Sequence, residues 1–151
     1  MKTDIVAFWK NLALEEMTPR QWESLCDGCG RCCLRKLEFE DTCEIVYTNV
    51  ACTLLDITRC RCISYEDRAE KKPECLVLNA QTLKGSLHLL PDTCAYRLVA
   101  QGNDLPWWHH LVCGDPDMVH EAHISVREKV ISEDHVPEEE LEDHIIDWII
   151  I

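Results

Sequence analysis

Residues 26–33 read CDGCGRCC, which places four cysteines within eight residues. Gly28 and Gly30 separate them, and glycine tolerates the positive φ angles of the tight turns that let successive thiols face one point. Thiolates are soft, anionic ligands of the kind that zinc and iron–sulfur clusters prefer. This stretch therefore predicts a metal centre around which the connecting segments fold.

The spacing of this run favours an iron–sulfur cluster. Through Cys26, Cys29 and Cys32 it resembles the C-x2-C-x2-C-x3-C-P run of bacterial ferredoxins. It departs from that run because Cys33 follows at once and no proline comes next. Either a fourth ligand comes from far along the chain, or Cys33 serves a second site. Two adjacent residues rarely aim at one metal, so one of this pair should point elsewhere.

Zinc is the alternative metal. Structural zinc prefers two C-x2-C knuckles, or one knuckle with a histidine pair. Here there is one triple run, and Cys60 and Cys62 are spaced too tightly for a standard second knuckle. His120 and His123 are three residues apart and form a conceivable metal pair, but histidines in this setting more commonly lie at the surface or cap helices. The pattern favours iron–sulfur over zinc.

The composition is that of one small globular domain, residues 1–151, with 46% hydrophobic and 28% charged residues. The first residues lack a secretory h-region and no apolar run is long enough to cross a bilayer, so a cytoplasmic location is predicted. Disulfides are rare in that compartment, which makes the eleven cysteines metal ligands or redox groups more readily than a disulfide framework. The net charge of −13 argues against nucleic acid and anionic membranes as partners.

The remaining patterns predict a mainly α fold: a small single domain with irregular, metal-held connections and at most a short β element. Residues 4–17 have apolar residues close to helical spacing. Thr18, Pro19 and Gln21 form a capping-box pattern for a second helix that ends near Leu25.

Further along the chain the predictions are weaker. Residues 45–50 suit a short strand, and residues 124–131 resemble one only loosely. Residues 102–117 suggest an ordered loop pinned by Trp107 and Trp108. Pro137 and the acidic residues after it predict a C-terminal helix with an apolar end. That end either packs on the domain or docks a redox or other protein partner. The oligomeric state is left open.

Several motifs together resemble the bacterial CxxCxxCC cysteine-cluster family, YcgN/YkgJ-like proteins described as zinc- or iron-chelating. The resemblance covers roughly residues 8–130. The motifs that carry it are CDGCGRCC at 26–33, NVAC at 49–52, CRCISYEDR at 60–68, PEC at 73–75, LPDTCAYR at 90–97 and DLPWWH at 104–109.

What the resemblance implies is a cysteine-ligated metal centre, iron–sulfur or zinc, and not an established reaction. The implied ligands are Cys26, Cys29, Cys32, Cys33, Cys52, Cys60, Cys62, Cys75 and Cys94. Nine thiols are too many for one four-ligand centre, so either two centres exist or some of these cysteines are core residues. The preferred single site combines Cys26, Cys29 and one of the adjacent pair with Cys75. Cys43 and Cys113 lie outside the family pattern.

Three functional classes follow from such a centre. The leading one is electron transfer, sensing or metal chelation. The others are a structural zinc interaction module, and a metal-cluster enzyme or enzyme accessory protein, since the same motif occurs in flagellin lysine methylases. The pattern names no catalytic residue.

Cationic and aromatic residues near the cysteines suggest tuning groups. Arg31, Arg35 and Lys36 either stabilise thiolates or are plain solvated charges. Hydrogen bonds to sulfur, or ion pairs with carboxylates, are the two roles predicted for Tyr65, Arg68 and Arg97.

Overall fold

The computed structural model describes residues 7–73 and 75–151. Its α-helices are short: α1 Phe8–Asn11, α2 Pro19–Ser24, α3 Arg68–Lys71, α4 Leu83–Ser86, α5 Ala95–Ala100, α6 His110–Cys113 and α7 Met118–Glu121. The 3₁₀ segments are Leu14–Glu16, Arg31–Cys33, Leu87–Leu89, Glu133–His135 and Glu138–His144. The strands are β1 Leu34–Glu38, β2 Ile45–Ala51, β3 Leu55–Asp56, β4 Arg61–Cys62 and β5 Ile131–Ser132.

A three-stranded sheet, in the order β1-β2-β5, begins directly after the cysteine run. β1 and β2 are antiparallel, with Leu34 opposite Ala51, and β5 pairs in parallel with the end of β2. β2 has the β-branched and aromatic content that favours a strand, and the structure confirms that prediction. A two-stranded hairpin of β3 and β4 follows, with Leu55 opposite Cys62.

Two hydrophobic cores lie on either side of the cysteine run. Leu25 and Tyr96 belong to the first core, whereas Leu34, Tyr47 and Val126 belong to the second. Leu25 is 0% exposed and Leu34 is 2% exposed, so residues 26–33 connect two points that are both held firmly by burial.

The prediction of a mainly α fold is wrong. Helical segments make up 35% of the structure and strands make up 13%, so neither type dominates. The α-helices have at most six residues, and the sheet adds a strand that the pattern did not indicate. That strand, β1, has the sequence LRKLE, which lacks the alternation of apolar and polar residues typical of a half-buried strand.

The N-terminal predictions are confirmed in one part and corrected in another. In α2 the Thr18 hydroxyl accepts from the Gln21 amide at 3.1 Å, and the Gln21 side chain accepts from the Thr18 amide at 2.9 Å. The predicted helix over 4–17 is interrupted, because Leu12 is extended (φ −109°, ψ 140°). Residues 4–6 of that predicted helix, which include Ile5, lie outside the described residues.

The C-terminal segment does not form the predicted helix. The 3₁₀ segment Glu138–His144 gives way to an extended chain that forms a bridge between Ile145 and Thr48. Ile149 is 7% exposed and packs in the second core, so the segment is anchored to the domain. Ile150 is 63% exposed. Contact with a partner through this segment stays a prediction.

Two further segments differ from expectation. Residues 102–117 include α6, and Trp107 is 63% exposed, so it does not pin that segment by burial. In the weak strand pattern over 124–131 only Ile131 is paired, as the first residue of β5. Among the described residues, no helix has the length and apolar character needed to span a membrane.

Candidate metal centre

The cysteine run folds as a compact loop stabilised by its own backbone. The Asp27 carboxylate accepts the Cys29 amide at 3.0 Å, and Gly28 and Gly30 have φ angles of 78° and 73°. The Cys33 amide then donates to the Gly30 carbonyl at 3.0 Å, which closes the 3₁₀ segment. The predicted positive-φ turns are confirmed at both glycines.

Gly30 is packed tightly against the second core. A Cβ at this position would lie 2.7 Å from the Cys60 Sγ and 2.9 Å from the Val126 Cγ2. The Cys60 thiol donates to the carbonyls of Gly28 and Cys29 at 3.4 Å each, and the Val126 amide donates to the Cys29 carbonyl at 2.9 Å. Cys60 therefore packs against the loop and stabilises it through these hydrogen bonds. Burial raises the pKa of its thiol to about 11.

Cys26, Cys29, Cys32 and Cys94 make up the first group of thiols. Burial raises the pKa of Cys29, and the negative charges of Asp27 and Cys32 raise it further. Although Cys26 is exposed at the surface, surrounding protein desolvates its thiol, and the charges of Cys32 and Cys94 add to the rise in its pKa. Burial, with Cys32 among the further causes, raises the pKa of Cys94 to about 12.

The buried side chain of Arg31 connects the segment that contains Cys94 to the cysteine loop. Arg31 is 6% exposed, and its Nε donates to the Ile124 carbonyl at 2.8 Å. Its Nη1 donates to the Thr93 hydroxyl at 3.3 Å, which ties the residue before Cys94 to the cysteine loop. Arg31 thus acts as a structural crosslink.

The second group of thiols comprises Cys33, Cys52, Cys62 and Cys75. The Cys52 amide donates to the Cys33 carbonyl at 2.8 Å, which extends the β1–β2 pairing by one residue. The Leu55 amide donates to the Cys52 carbonyl at 2.9 Å, and Leu55 pairs with Cys62 across the hairpin.

The charges within the second group also act on one another. Burial raises the pKa of Cys75, and the charges of Cys32, Cys52 and Cys62 raise it further. Burial likewise raises the pKa of Cys52, with Cys62 among the further causes. The adjacent Cys32 thiol, together with burial and the charges of Cys52 and Cys75, raises the pKa of Cys33.

Cys32 differs from the other thiols because its pKa is lowered, to about 6. The adjacent Cys33 thiol is the main cause, and the Lys36 ammonium adds to the effect, whereas burial opposes it. The Lys36 Nζ also donates to the carbonyls of Cys32 and Leu34 at 3.0 and 3.1 Å. This shift favours the thiolate form of Cys32, which is the form that binds metals.

The donor set is made of free thiols, the kind of ligand that zinc and iron–sulfur clusters prefer. In residues 7–73 and 75–151, no three Cys, His, Asp or Glu side chains stand at the spacing of ligands to a single ion. The thiols nevertheless lie close enough for their charges to act on one another. All eleven cysteines are free thiols in the structure.

The other sequence candidates have mostly structural contacts. Cys43 and Cys113 are exposed. Arg35 forms ion pairs with Glu133 and Glu138 at 3.7 and 2.8 Å.

The groups proposed to hydrogen-bond sulfur contact oxygen in the structure. Tyr65 donates to the Glu23 carboxylate at 2.5 Å, Arg68 donates to the Tyr65 carbonyl, and Arg97 donates to the Leu90 carbonyl at 2.7 Å.

The histidines take structural roles. The His120 Nδ1 lies 2.7 Å from the Ser125 hydroxyl. His123 has a positive φ of 62° at a turn. His109, 0% exposed, has its Nε2 2.7 Å from the Leu25 carbonyl and so supports the chain just before the cysteine run.

Asp27 was missed by the sequence reasoning. Its carboxylate shapes the turn and places a negative charge beside Cys26 and Cys29. The signal was present in the sequence, because an Asp between two cysteines readily forms a turn by accepting an amide two residues on.

The fold and site define a small cysteine-cluster protein with a candidate thiolate metal centre. The model of the CxxCxxCC family, described as "Putative zinc- or iron-chelating domain", matches residues 25–95. A UPF0260 protein of Marinobacter nauticus is 54% identical over 145 residues, 96% of this chain and 97% of the relative. UPF0260 proteins of Rhodopseudomonas palustris and Agrobacterium fabrum are 53% and 52% identical over 142 and 141 residues, which cover 93% of this chain and 83% and 86% of the relatives.

The chain belongs to this UPF0260 family of CxxCxxCC proteins. The family resemblance inferred from the motifs is thereby confirmed. No solved structure matches the chain.

Proposed function

We propose that this chain is a cytoplasmic iron–sulfur protein whose thiolate-ligated metal serves electron transfer, sensing or metal chelation. The observation that carries the proposal is the convergence of the cysteine loop with cysteines from distant segments of the chain. Cys94 and Cys75 lie 61 and 42 positions beyond Cys33. Arg31 in the loop nevertheless donates to Thr93, the residue before Cys94, at 3.3 Å. Lys72, whose carbonyl accepts from the Cys75 amide, pairs with Glu133, which also pairs with Arg35 of β1.

The chemistry of the donors supports a soft metal. Like charges at close range oppose ionisation, so a set of neighbouring thiolates is stable only when a cation neutralises it. Metal binding displaces the thiol protons and supplies that cation, at a gain of about 10–16 kcal/mol for structural zinc in small peptides. Free thiols throughout also suit the reducing cytoplasm, where disulfides are rare.

Iron–sulfur is preferred over zinc because of the triple run and its surroundings. Cys26, Cys29 and Cys32 follow the ferredoxin spacing. The Arg31 amide donates to the Cys29 Sγ and the Leu54 amide donates to the Cys52 Sγ, each at 3.5 Å. Amide bonds to sulfur of this kind are among the features that set cluster reduction potentials. The cluster would supply one-electron chemistry, while the chain binds, orients and shields it.

The test is anaerobic purification followed by elemental analysis and visible absorption spectroscopy. Iron and sulfide in the chain, with the broad visible absorption of a cluster, are the expected result. Zinc without colour would support the structural zinc module instead. Metal-free protein that keeps its fold after chelation would overturn both forms of the proposal.

A second measurement addresses the role. Removing the metal with a chelator should lower the thermal midpoint strongly, because metal–thiolate bonds hold segments that have little regular structure. A reversible one-electron potential with no exchangeable ligand supports a carrier or sensor. A bound water or small molecule on the metal would point to an enzyme.

A further inference from the structure

We propose that the cysteines form two separate four-thiol metal centres and that the boundary between them runs between Cys32 and Cys33. This inference rests on the proposed metal-binding function and assigns its ligands. The first centre takes Cys26, Cys29, Cys32 and Cys94. The second takes Cys33, Cys52, Cys62 and Cys75.

The backbone changes direction at the boundary. Cys32 lies inside the 3₁₀ segment Arg31–Cys33, and its carbonyl accepts from the Lys36 ammonium at 3.0 Å. Cys33 ends that segment, and its carbonyl instead accepts from the Cys52 amide at 2.8 Å. Cys32 thus belongs to the loop, whereas Cys33 is hydrogen-bonded to the sheet.

The two hydrophobic cores divide the same way. Cys94 packs against the first core, and Cys33 packs against the second. The Arg31–Thr93 hydrogen bond at 3.3 Å holds the residue before Cys94 to the loop. Each group therefore has its own scaffold.

The second group is assembled by consecutive pairings that do not involve the first. Cys52 lies next to Cys33 through the extension of the β1–β2 pairing. Cys62 follows through the β3–β4 hairpin, where it is opposite Leu55. Cys75 joins the group through Lys72, whose carbonyl accepts from the Cys75 amide at 2.8 Å and whose ammonium pairs with Glu133. Glu133 also pairs with Arg35 of β1 at 3.7 Å, and the hydroxyl of Thr53, the residue after Cys52, donates to Asp134 at 2.7 Å.

Cys32 and Cys33 are adjacent in the chain, and the proposal assigns each of them to its own centre. General cluster chemistry has this arrangement: in two-cluster ferredoxins the last cysteine of a C-x2-C-x2-C-x3-C-P run ligates the other cluster.

Of the nine predicted ligands, Cys60 is the one that the proposal leaves out of both centres. It is 4% exposed and lies beneath the loop, where its thiol donates to the Gly28 and Cys29 carbonyls at 3.4 Å. A serine at position 60 retains a donor for these carbonyls. Cys60→Ser is therefore the matched control for loss of a cysteine without loss of a ligand.

The test compares three single variants of the full chain, purified without oxygen: Cys32→Ser, Cys33→Ser and Cys60→Ser. Metal per chain is measured by elemental analysis and native mass spectrometry. The first two variants should each retain about half of the wild-type metal, and Cys60→Ser should retain all of it.

Site-resolved alkylation then shows which thiols each remaining metal protects. In Cys33→Ser the thiols of Cys52, Cys62 and Cys75 should react quickly with iodoacetamide while the first group stays protected. In Cys32→Ser the pattern should reverse. Reaction at Cys60 reports unfolding, because burial protects that thiol whenever the domain is folded.

Alkylation of the wild-type protein during slow chelation gives an answer that needs no variant. The eight proposed ligands should become reactive in two sets of four. One set of four with the other cysteines reactive from the start, or all eight in a single step, would overturn the two-centre assignment while leaving metal binding intact. Wild-type protein that takes up neither iron with sulfide nor zinc would overturn the proposed function itself.

Discussion

Replacing Gly30 with alanine should destabilise the protein far more than the same change at Gly28. Both glycines have positive φ angles, 73° and 78°. A Cβ at position 28 meets nothing within 4 Å, whereas at position 30 it lies 2.7 Å from the Cys60 Sγ and 2.9 Å from the Val126 Cγ2. The two substitutions share the backbone cost and differ only in packing.

The magnitudes follow from these contacts. A left-handed backbone costs a residue with a Cβ about 1–2 kcal/mol, and overpacking a filled site costs about 1–3 kcal/mol more. Gly28→Ala should thus lower the free energy of unfolding by about 1 kcal/mol and Gly30→Ala by about 3 kcal/mol. Removing the Cys60 sulfur should relieve part of the clash, so Gly30→Ala and Cys60→Ala should couple favourably by about 1 kcal/mol.

Urea unfolding of the metal-loaded proteins, kept anaerobic, measures these differences. With a slope of about 2 kcal/mol/M, the midpoint should fall by about 1.5 M for Gly30→Ala and about 0.5 M for Gly28→Ala. Equal shifts for the two variants would refute the packing of the loop against Cys60 and Val126. A double variant with no recovery would show that the sulfur is not the obstructing atom.

Three further substitutions probe other parts of the fold. Ile149→Ala should lower the free energy of unfolding by about 3 kcal/mol, because the Ile149 side chain is only 7% exposed. Ile150→Ala should change it by no more than about 0.5 kcal/mol, because that side chain is 63% exposed. Equal losses for the two variants in urea unfolding would contradict the anchoring of the C-terminal segment. Thr18→Ala should cost about 1 kcal/mol through loss of the α2 cap, with metal content unchanged. The Asp104 carboxylate, which accepts from the Trp9 indole at 3.0 Å, has its pKa lowered to about 2. Its contribution to stability should be present above about pH 4 and be lost as the pH falls toward about 2, so a carboxyl titration by NMR that places this pKa near 4 would contradict that contact.

Local signals in the sequence were sufficient for the loop and its approach. Thr18, Pro19 and Gln21 predicted α2 because a capping box acts over four residues. Gly28 and Gly30 predicted the positive-φ turns because few other residues tolerate them. The family motifs likewise identified the cysteines as a set before any partner was known.

Non-local pairing could not be predicted in the same way. β1 has no alternating pattern and is a strand because β2 pairs with it. The grouping of Cys94 with the loop depends on a hydrogen bond between Arg31 and Thr93, 62 positions apart. The C-terminal residues had a helical start and an apolar end, but pairing with β2 and burial of Ile149 outweighed helix propensity. Spacing alone carries no information about such contacts.

The attachment of the cysteine loop to two cores has a consequence for folding cooperativity. Leu25 is buried in one core and Leu34 in the other, and the loop between them has little freedom. When metal loss changes the conformation of the loop, the packing of both cores should therefore be disturbed together. Unfolding should then be a single transition with one midpoint, and a protein that loses its metal should pass to degradation as a whole chain instead of losing one half first.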